Sequence, residues 1–510
     1  MNVLFVLYGD LEGNSAVPLM LHARELHARG HRCAVAVVSK EGAAAAPPTL
    51  RVMSHEEALA DPLAVFDGEK ADVLHAWTPR ENVRRFVTAW LVARPTPWVI
   101  YLEDNEEWIA KAALAMVGLR EDVLLQHSQE VISTWTPPGL PHVLRFRAFI
   151  GLADAAAVIQ PKLAADVPPW VPCTTVMPGV DLEAFAPRAA DPALRARYGV
   201  RDGEKVVVYP GGLNDFTRPG LEALARAVGL VNERGVPCRL LRSGPVALDF
   251  LERLPAATAQ QVTDLGALPR AELPGLMALA DAFVQPGQHD AFEDLRLPGK
   301  LPELFAMGRP VAMPRTNIAG LLEDGVNVVF HDGTPESIAE RCLDLFRDPQ
   351  RAQAIGAKAR AFAEAHFDPR VQAARLEGVH EAAIAAFDAD IARATWTPDA
   401  AQRSVSALLA RRLRLLADAG GAPAASVPAL LRAHAAALDF MLARSYALQE
   451  GMAVRDRELD TLRPRIALDA QVKELQARVA AMEGSLSWRL TRPIRMALDL
   501  LAGTRGRPRS

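Results

Sequence analysis

The chain has 510 residues, and its 57 Lys and Arg against 61 Asp and Glu leave a formal net charge of −4. That balance excludes a global basic footprint for nucleic acid, and a 50% hydrophobic against 23% charged composition excludes disorder over the whole chain. The length allows about three domains. The four cysteines, Cys33, Cys173, Cys238 and Cys342, lie far apart without a CxxC pair. Neither a disulfide scaffold nor a structural zinc site is expected, and a reducing cytosol fits.

The opening residues MNVLFVLYGD are apolar but lack a basic n-region and a small-residue cleavage site, so they read as a buried strand rather than a signal peptide. A helix follows over VPLMLHARELHARG, with Leu19, His22, Leu26 and Arg29 at helical spacing and Gly30 at its end. HRCAVAVVS, residues 71–77 and residues 98–102 are the next strands. This alternation predicts βαβ units and a parallel sheet. The pattern restarts at KVVVY (205–209), then a helix over LEALARAVGLVNERG, and strands in CRLLRSG, VTDLGAL, ADAFVQP, RPVAMP and NVVF. Residues 335–390 read as helical. Beyond about 395 the strand signal stops. Two helices are expected within 400–450, and Val472, Leu475, Val479 and Met482 form a short heptad-like seam. The expected domains are 1–180, 181–390, a helical extension over 391–465, and 466–510. No apolar run of about 18 residues occurs, so no membrane-spanning helix is expected.

Three stretches can carry chemistry. Gly9, Gly13, Asn14 and Ser15 sit between the first strand and its helix, where glycine permits close approach and a helix N-terminus favours an anionic or polar ligand. The spacing is neither GxGxxG nor a Walker motif, which argues against a dinucleotide oxidoreductase. In PGGLNDFTRPG, Gly211 and Gly212 follow a predicted parallel strand, the place where open α/β sheets bind ligands. Arg218 is that loop's cation and can hold a diphosphate. The third stretch is DAFEDLRLPGKLPELFAMGRPVAMPRTNIAGLLEDG. There Arg296, Lys300 and Glu303 precede or open a helix with Pro302 in its first turn. A carboxylate fixed at Glu303 can accept hydrogen bonds from ribose hydroxyls, and Lys300 can neutralise phosphate. Asn317 and Gly320, in TNIAG, offer a further backbone-donor turn.

PGVDLEAFAP, GGLNDFTRPG, ADAFVQP and above all P-x-K-x-x-E followed by A-M-G-x-P-V resemble the GT-B glycosyltransferases, in particular the retaining family-4 type, over roughly residues 1–390. The resemblance implies an α/β fold of two Rossmann-like domains facing a central cleft, here with an α-helical C-terminal extension. It implies transfer of a sugar from a nucleotide diphosphate-sugar to an acceptor hydroxyl. The nucleotide-sugar is a co-substrate, and no metal or other cofactor is expected. Ribose binding falls to Glu303, donor-phosphate binding to Arg218 and Lys300, with Gly212 and Arg296 beside them. The chain departs from the pattern at Leu295, where the family often has a glutamate; Glu293 and Asp294 are close but offset. Gly212 stands where an arginine is usual. In place of the usual histidine after the fourth strand stands YLEDNEEW, with Glu103, Asp104, Asn105 and Glu106. Glu103 and Asp104 are candidates to orient the acceptor or take its proton. His75 is a candidate for the same cleft, and Arg80 and Glu81 for its rim.

The tail SWRLTRPIRMALDLLAGTRGRPRS is rich in Arg, with Asp499 as its one acid. From Pro493 a helix places Leu490, Ile494, Ala497, Leu498 and Leu501 on one face and Arg489, Arg492, Arg495 and Asp499 on the other, behind Trp488. Such a segment, residues 487–510, suits an anionic membrane surface; packing on its own protein or on a partner is the alternative. The whole reads as a cytoplasmic enzyme of bacterial surface-polysaccharide synthesis, peripheral on the inner membrane face, with a glycan or lipid-linked acceptor and no nucleic-acid partner. A GT-B-type sugar-nucleotide epimerase and an inactive scaffold that binds partners through its helical C-terminus are the competing readings.

Overall fold

A computed structural model describes residues 1–387 apart from 95, 117–135, 144, 170, 214–216 and 246–249. The helices expected within 400–450, the seam over 466–483 and the basic tail lie outside the described residues. In the first half, β1 (Asn2–Val6), β2 (Arg32–Val37), β3 (Leu50–Ser54), β4 (Val73–Trp77), β5 (Trp98–Leu102), β6 (Ala155–Val158) and β7 (Cys173–Thr175) form a seven-stranded sheet in the order β3-β2-β1-β4-β5-β6-β7. In the second half, β8 (Lys205–Pro210), β9 (Cys238–Ser243), β10 (Val262–Asp264), β11 (Ala282–Val284), β12 (Val311–Pro314) and β13 (Val329–His331) form a six-stranded sheet in the order β10-β9-β8-β11-β12-β13. Every pairing in both sheets is parallel. The strand order reverses between β1 and β4 and again between β8 and β11, and ligands bind beyond the carboxyl ends at such points.

The central strands are continuous apolar runs because helices cover both faces. All six strands of the second sheet are expected from sequence. In the first sheet β3, β6 and β7 are not. β6 is Ala155–Val158, with three alanines and one valine, which carries little strand propensity. β3 and β7 are partly exposed and sit at the two sheet edges.

The region over 335–390 forms the helices Pro335–Arg347, Pro349–His366 and Pro369–Ala386. Each begins with Pro after a side-chain cap: Thr334, Asp348 and Asp368 accept the amides of Ser337, Arg351 and Arg370. The last helix follows the second half in sequence but packs on the first sheet, against β5, β6 and the helix Ala16–Ala28. Its Glu377 accepts from Arg29 Nε and bonds His31 Nε2, both at 2.7 Å. Gln372 accepts from the Met177 amide at 2.9 Å. One apolar cluster runs through both halves.

Under this returning helix lie three fully buried histidines, His22, His75 and His380. His75 Nδ1 and His380 Nε2 share a hydrogen bond of 2.9 Å. Among the described residues, both ring nitrogens of His22, Nε2 of His75 and Nδ1 of His380 have no hydrogen-bond partner. The rings of Phe5 and Trp77 stand 5.1 and 5.6 Å from that of His75. His75 therefore belongs to the core, in the middle of β4, and does not reach a cleft. Burial lowers the pKa of all three, His22 to about 4 and His380 to about 3.

A folded pKa below the unfolded value means that the unfolded chain binds more protons as pH falls. Stability is therefore expected to drop as pH goes from about 6.5 towards 4. For His22 the loss at pH 5 is about 1–2 kcal/mol. Among the described residues His22 makes no hydrogen bond, so His22→Leu should leave the Tm at pH 7 nearly unchanged and raise it at pH 5. Equal pH slopes for the variant and the wild type in thermal melts would contradict this.

Candidate functional site

Beyond the ends of β1, β4 and β5 the first half gathers a cluster of carboxyl groups around one arginine. The loop carrying Gly13 and Asn14 is exposed, and the Asp10 carboxylate orders it by accepting the amides of Glu12 and Gly13. Ser15, the residue before the helix Ala16–Ala28, is buried and donates to Glu103 Oε1. Trp77 Nε1 donates to Glu103 Oε2 at 2.7 Å, and the Tyr8 hydroxyl lies 3.1 Å from Ser15 Oγ. Burial and then the neighbouring Asp104 push the Glu103 carboxyl up to about 7, against the hydrogen bonds from Ser15 and Trp77.

Arg80 is buried, with Nη2 3.3 Å from Asp104 Oδ2 and Nε 3.1 Å from Glu106 Oε2. Its guanidinium lies over the Tyr8 ring at 4.9 Å, and Nη1 donates to the Gly139 carbonyl. Glu106 is pushed up to about 8 by burial, against the attraction of Arg80. Between β4 and Arg80, Thr78 adopts φ +67°, costly for a β-branched residue, by about 1–3 kcal/mol. Its amide is held by the Tyr101 carbonyl at 2.9 Å. Glu81 is no rim residue. It is fully buried and bound by Arg84 and Arg85 at the start of the helix Glu81–Ala93.

In the second half, Gly211 and Gly212 follow β8. Lys300 Nζ donates to the Tyr209 hydroxyl at 2.8 Å and lies 4.0 Å from the centre of that ring. A Cβ at Gly211 would stand 2.9 Å from Lys300 Nζ, so the glycine makes room for the ammonium. Glu303, on the helix Leu301–Ala306, is buried and accepts from Arg270 Nη2 at 2.6 Å. Burial raises its pKa, and Arg270 opposes that. Arg296 Nη1 donates to Glu293 Oε1 at 2.7 Å. Asn317, buried at φ +43°, accepts the Ile318 amide on its own side chain. Gly320 is exposed, with open space where a Cβ would sit. Arg218 is the first residue of the helix Arg218–Glu233.

A cavity of about 470 Å³ opens where the second sheet reverses its order, lined by Tyr209, Gly220, Gln285, Gly287, Glu293 and, from the first half, Trp108. Trp108 packs its ring 4.3 Å from that of Phe292. Asn105 Nδ2 donates to the Ala291 carbonyl at 2.9 Å, and Lys162 pairs with Asp294. The two halves thus meet at the helix Ala291–Leu295. The structure brings Lys300 and the Gly211 turn together, and Glu103 with Ser15, Asp104 and Arg80. Sequence reasoning missed Tyr8, Trp77, Trp108, Tyr209 and Arg270. Each partners a residue far away in the chain, and only the placement of Tyr8, Trp77 and Tyr209 at strand ends could have pointed to them.

Residues 204–348 match the family model described as "Glycosyl transferases group 1". Over 209 residues the chain is 34% identical to a GDP-mannose-dependent alpha-(1-6)-phosphatidylinositol monomannoside mannosyltransferase of Mycolicibacterium smegmatis, covering 39% of this chain and 53% of that one. Over 203 residues it is 30% identical to a D-inositol 3-phosphate glycosyltransferase of Kineococcus radiotolerans, covering 36% and 46%. The chain thus spans about half the length of these curated relatives. Among solved structures it is similar in fold to Anabaena HepE in complex with UDP and glucose, at TM-score 0.55 and 16% identity over 74% of this chain and 98% of that one. It is similar also to WaaG, a glycosyltransferase involved in lipopolysaccharide biosynthesis, at TM-score 0.52 and 16% identity over 74% and 100%.

The electrostatics of the first cluster are open to measurement. Glu103 should titrate near pH 7 in carboxyl-resolved NMR. Asp104→Asn removes a like charge and should lower that midpoint by about one pH unit. Ser15→Ala removes a donor to the ionised form and should raise it. A Glu103 midpoint below 5 in the wild type would contradict the description.

Proposed function

We propose that this GT-B protein, whose residues 204–348 form a group 1 glycosyl transferase domain, moves a sugar from a nucleoside diphosphate donor to an acceptor hydroxyl, with retention at the anomeric carbon. The observation that carries the reading is the cavity at the reversal of the second sheet. It is lined by Tyr209, whose hydroxyl accepts from Lys300 beside the Gly211 turn, and on one side by Trp108 of the first half.

In this reading the donor diphosphate rests on the Gly211–Gly212 turn, Lys300 and Arg218, and its ribose hydroxyls on Glu303. The bond between the anomeric carbon and the phosphate oxygen breaks, and its electron pair goes to the diphosphate. Lys300, Arg218 and the backbone amides of the Gly211 and Asn317 turns meet that charge without reorganising, so the step uses no metal. The acceptor oxygen attacks from the face that the leaving group vacates. Its proton goes to Glu103, which burial holds at about 7 and Ser15 and Trp77 hold in place. Closing the halves over both substrates limits hydrolysis.

The acceptor is a glycan or a lipid-linked saccharide of the cell surface, reached from the cytoplasmic face through the basic tail over 487–510. The choice is supported by the mannosyltransferase relative, named for a phosphatidylinositol monomannoside, and by WaaG, described as involved in lipopolysaccharide biosynthesis. Among the described residues no helix is long and apolar enough to cross a membrane.

A thermal-shift screen against UDP, GDP, ADP and dTDP should single out one stabilising nucleotide, and calorimetry should then show that Lys300→Ala and Glu303→Ala each weaken it by about 1–3 kcal/mol. Unchanged affinity in both variants would overturn the donor assignment. Full-length chain should co-sediment with anionic liposomes, and a chain ending near residue 460 should not. Equal partition of the two would refute the role given to the tail.

A further inference from the structure

A fully buried arginine lies next to the Gly211 turn and has no part in the chemistry above. Arg242 is the penultimate residue of β9 and is fully buried. Its Nη1 donates to both oxygens of Asp264, at 2.8 and 2.7 Å. Its Nη2 points at three backbone carbonyls: Gly244 at 3.2 Å, Gly211 at 3.5 Å, and Pro245. Three such oxygens repel one another unless a cation sits between them. Arginine remains charged when buried, and Asp264 balances that charge.

The same contacts join the turns after β8, β9 and β10. The Gly211 amide donates to the Ser243 carbonyl at 2.7 Å, and the Gly244 amide to the Gly266 carbonyl at 2.7 Å. Asp264 Oδ1 accepts the Gly266 amide at 3.0 Å. The turns approach so closely that a Cβ on Gly244, at φ +132°, would stand 2.5 Å from the Gly211 carbonyl carbon. In a trans peptide the carbonyl and the next N–H point in opposite directions. A Gly211 oxygen held on Arg242 therefore turns the Gly212 N–H away from the guanidinium, on the side opposite the buried arginine.

We infer that Arg242 is a positioning residue. It sets the Gly211–Gly212 peptide so that its amide serves the donor's diphosphate, while Arg242 itself never touches the ligand. This rests on the donor reading given above. It separates two parts of one ligand, because the diphosphate depends on this peptide and the nucleoside does not.

The test uses full-length protein and whichever of UDP, GDP, ADP and dTDP stabilises the wild type. That nucleotide and its nucleoside are titrated against the wild type, Arg242→Lys and the paired variant Arg242→Met with Asp264→Leu, which removes both buried charges together. Lysine keeps the charge but cannot span Asp264 and three carbonyls at once. In Arg242→Lys the diphosphate affinity should fall about tenfold and the nucleoside affinity should stay within twofold. In the paired variant, once a cooperative thermal melt shows it to be folded, the same selective loss should appear. Hydrogen exchange over residues 211–213 should quicken in both. Equal loss for nucleotide and nucleoside, or loss of neither, overturns the inference while leaving the donor reading intact. Failure of all four nucleotides to bind the wild type overturns the donor reading itself, and the inference with it.

Discussion

The fastening of the helix Pro369–Ala386 onto the first sheet is the constraint on which the rest of the structure depends. In sequence this helix closes the second half, yet Gln372, Glu377 and His380 make their bonds to the first. The chain therefore crosses between the halves twice, once near Val180 and once at Phe367, and the amide of the first joins the carbonyl of the second at 2.9 Å. A double crossing limits how the carboxyl ends of two parallel sheets can move apart. It holds together the contacts of Asn105 with Ala291 and of Trp108 with Phe292, which neither sheet's own hydrogen bonds can do.

The two clusters differ in electrostatic character. In the first half, Glu103, Asp104 and Glu106 share Arg80, and burial raises the pKa of Glu103 and Glu106. Such groups exchange protons near neutral pH. In the second half the charges are cationic or paired: Lys300 on Tyr209, Glu303 with Arg270, Arg242 with Asp264. Carboxyl groups with raised pKa values and paired cations thus stand on different sheets.

Much of this was legible in the sequence, and the gaps have physical causes. β8, β11 and β12 are legible because each holds an apolar run bounded by turn residues. β6 is not, because alanines carry no strand signal, and β3 and β7 are not, because edge strands are short and half exposed. The Gly211 turn stands out in the sequence because a strand followed by glycines marks a ligand position in such sheets, and Lys300 because it opens a helix with Pro302 in its first turn. His75 was misplaced because a residue at the centre of a strand and one at its end differ by only two positions, while their surroundings differ completely. Glu303 stands out in the sequence but its partner Arg270 does not, since an ion pair between separate elements leaves no periodic trace. Arg242 carries no signal in the sequence, because its three carbonyl partners are brought together only by the fold.

The Trp108–Phe292 contact has an energetic consequence. Each ring belongs to a different half, so the wall they build exists only when the halves are together. A ligand resting on both rings binds that arrangement more tightly than one in which they are apart, and it shifts the equilibrium by that difference in affinity and no more. Occupancy of the cavity and the angle between the sheets are then linked variables. Any substitution that opens the halves weakens binding without touching the ligand, and any ligand that reaches only Phe292 leaves the angle where it was.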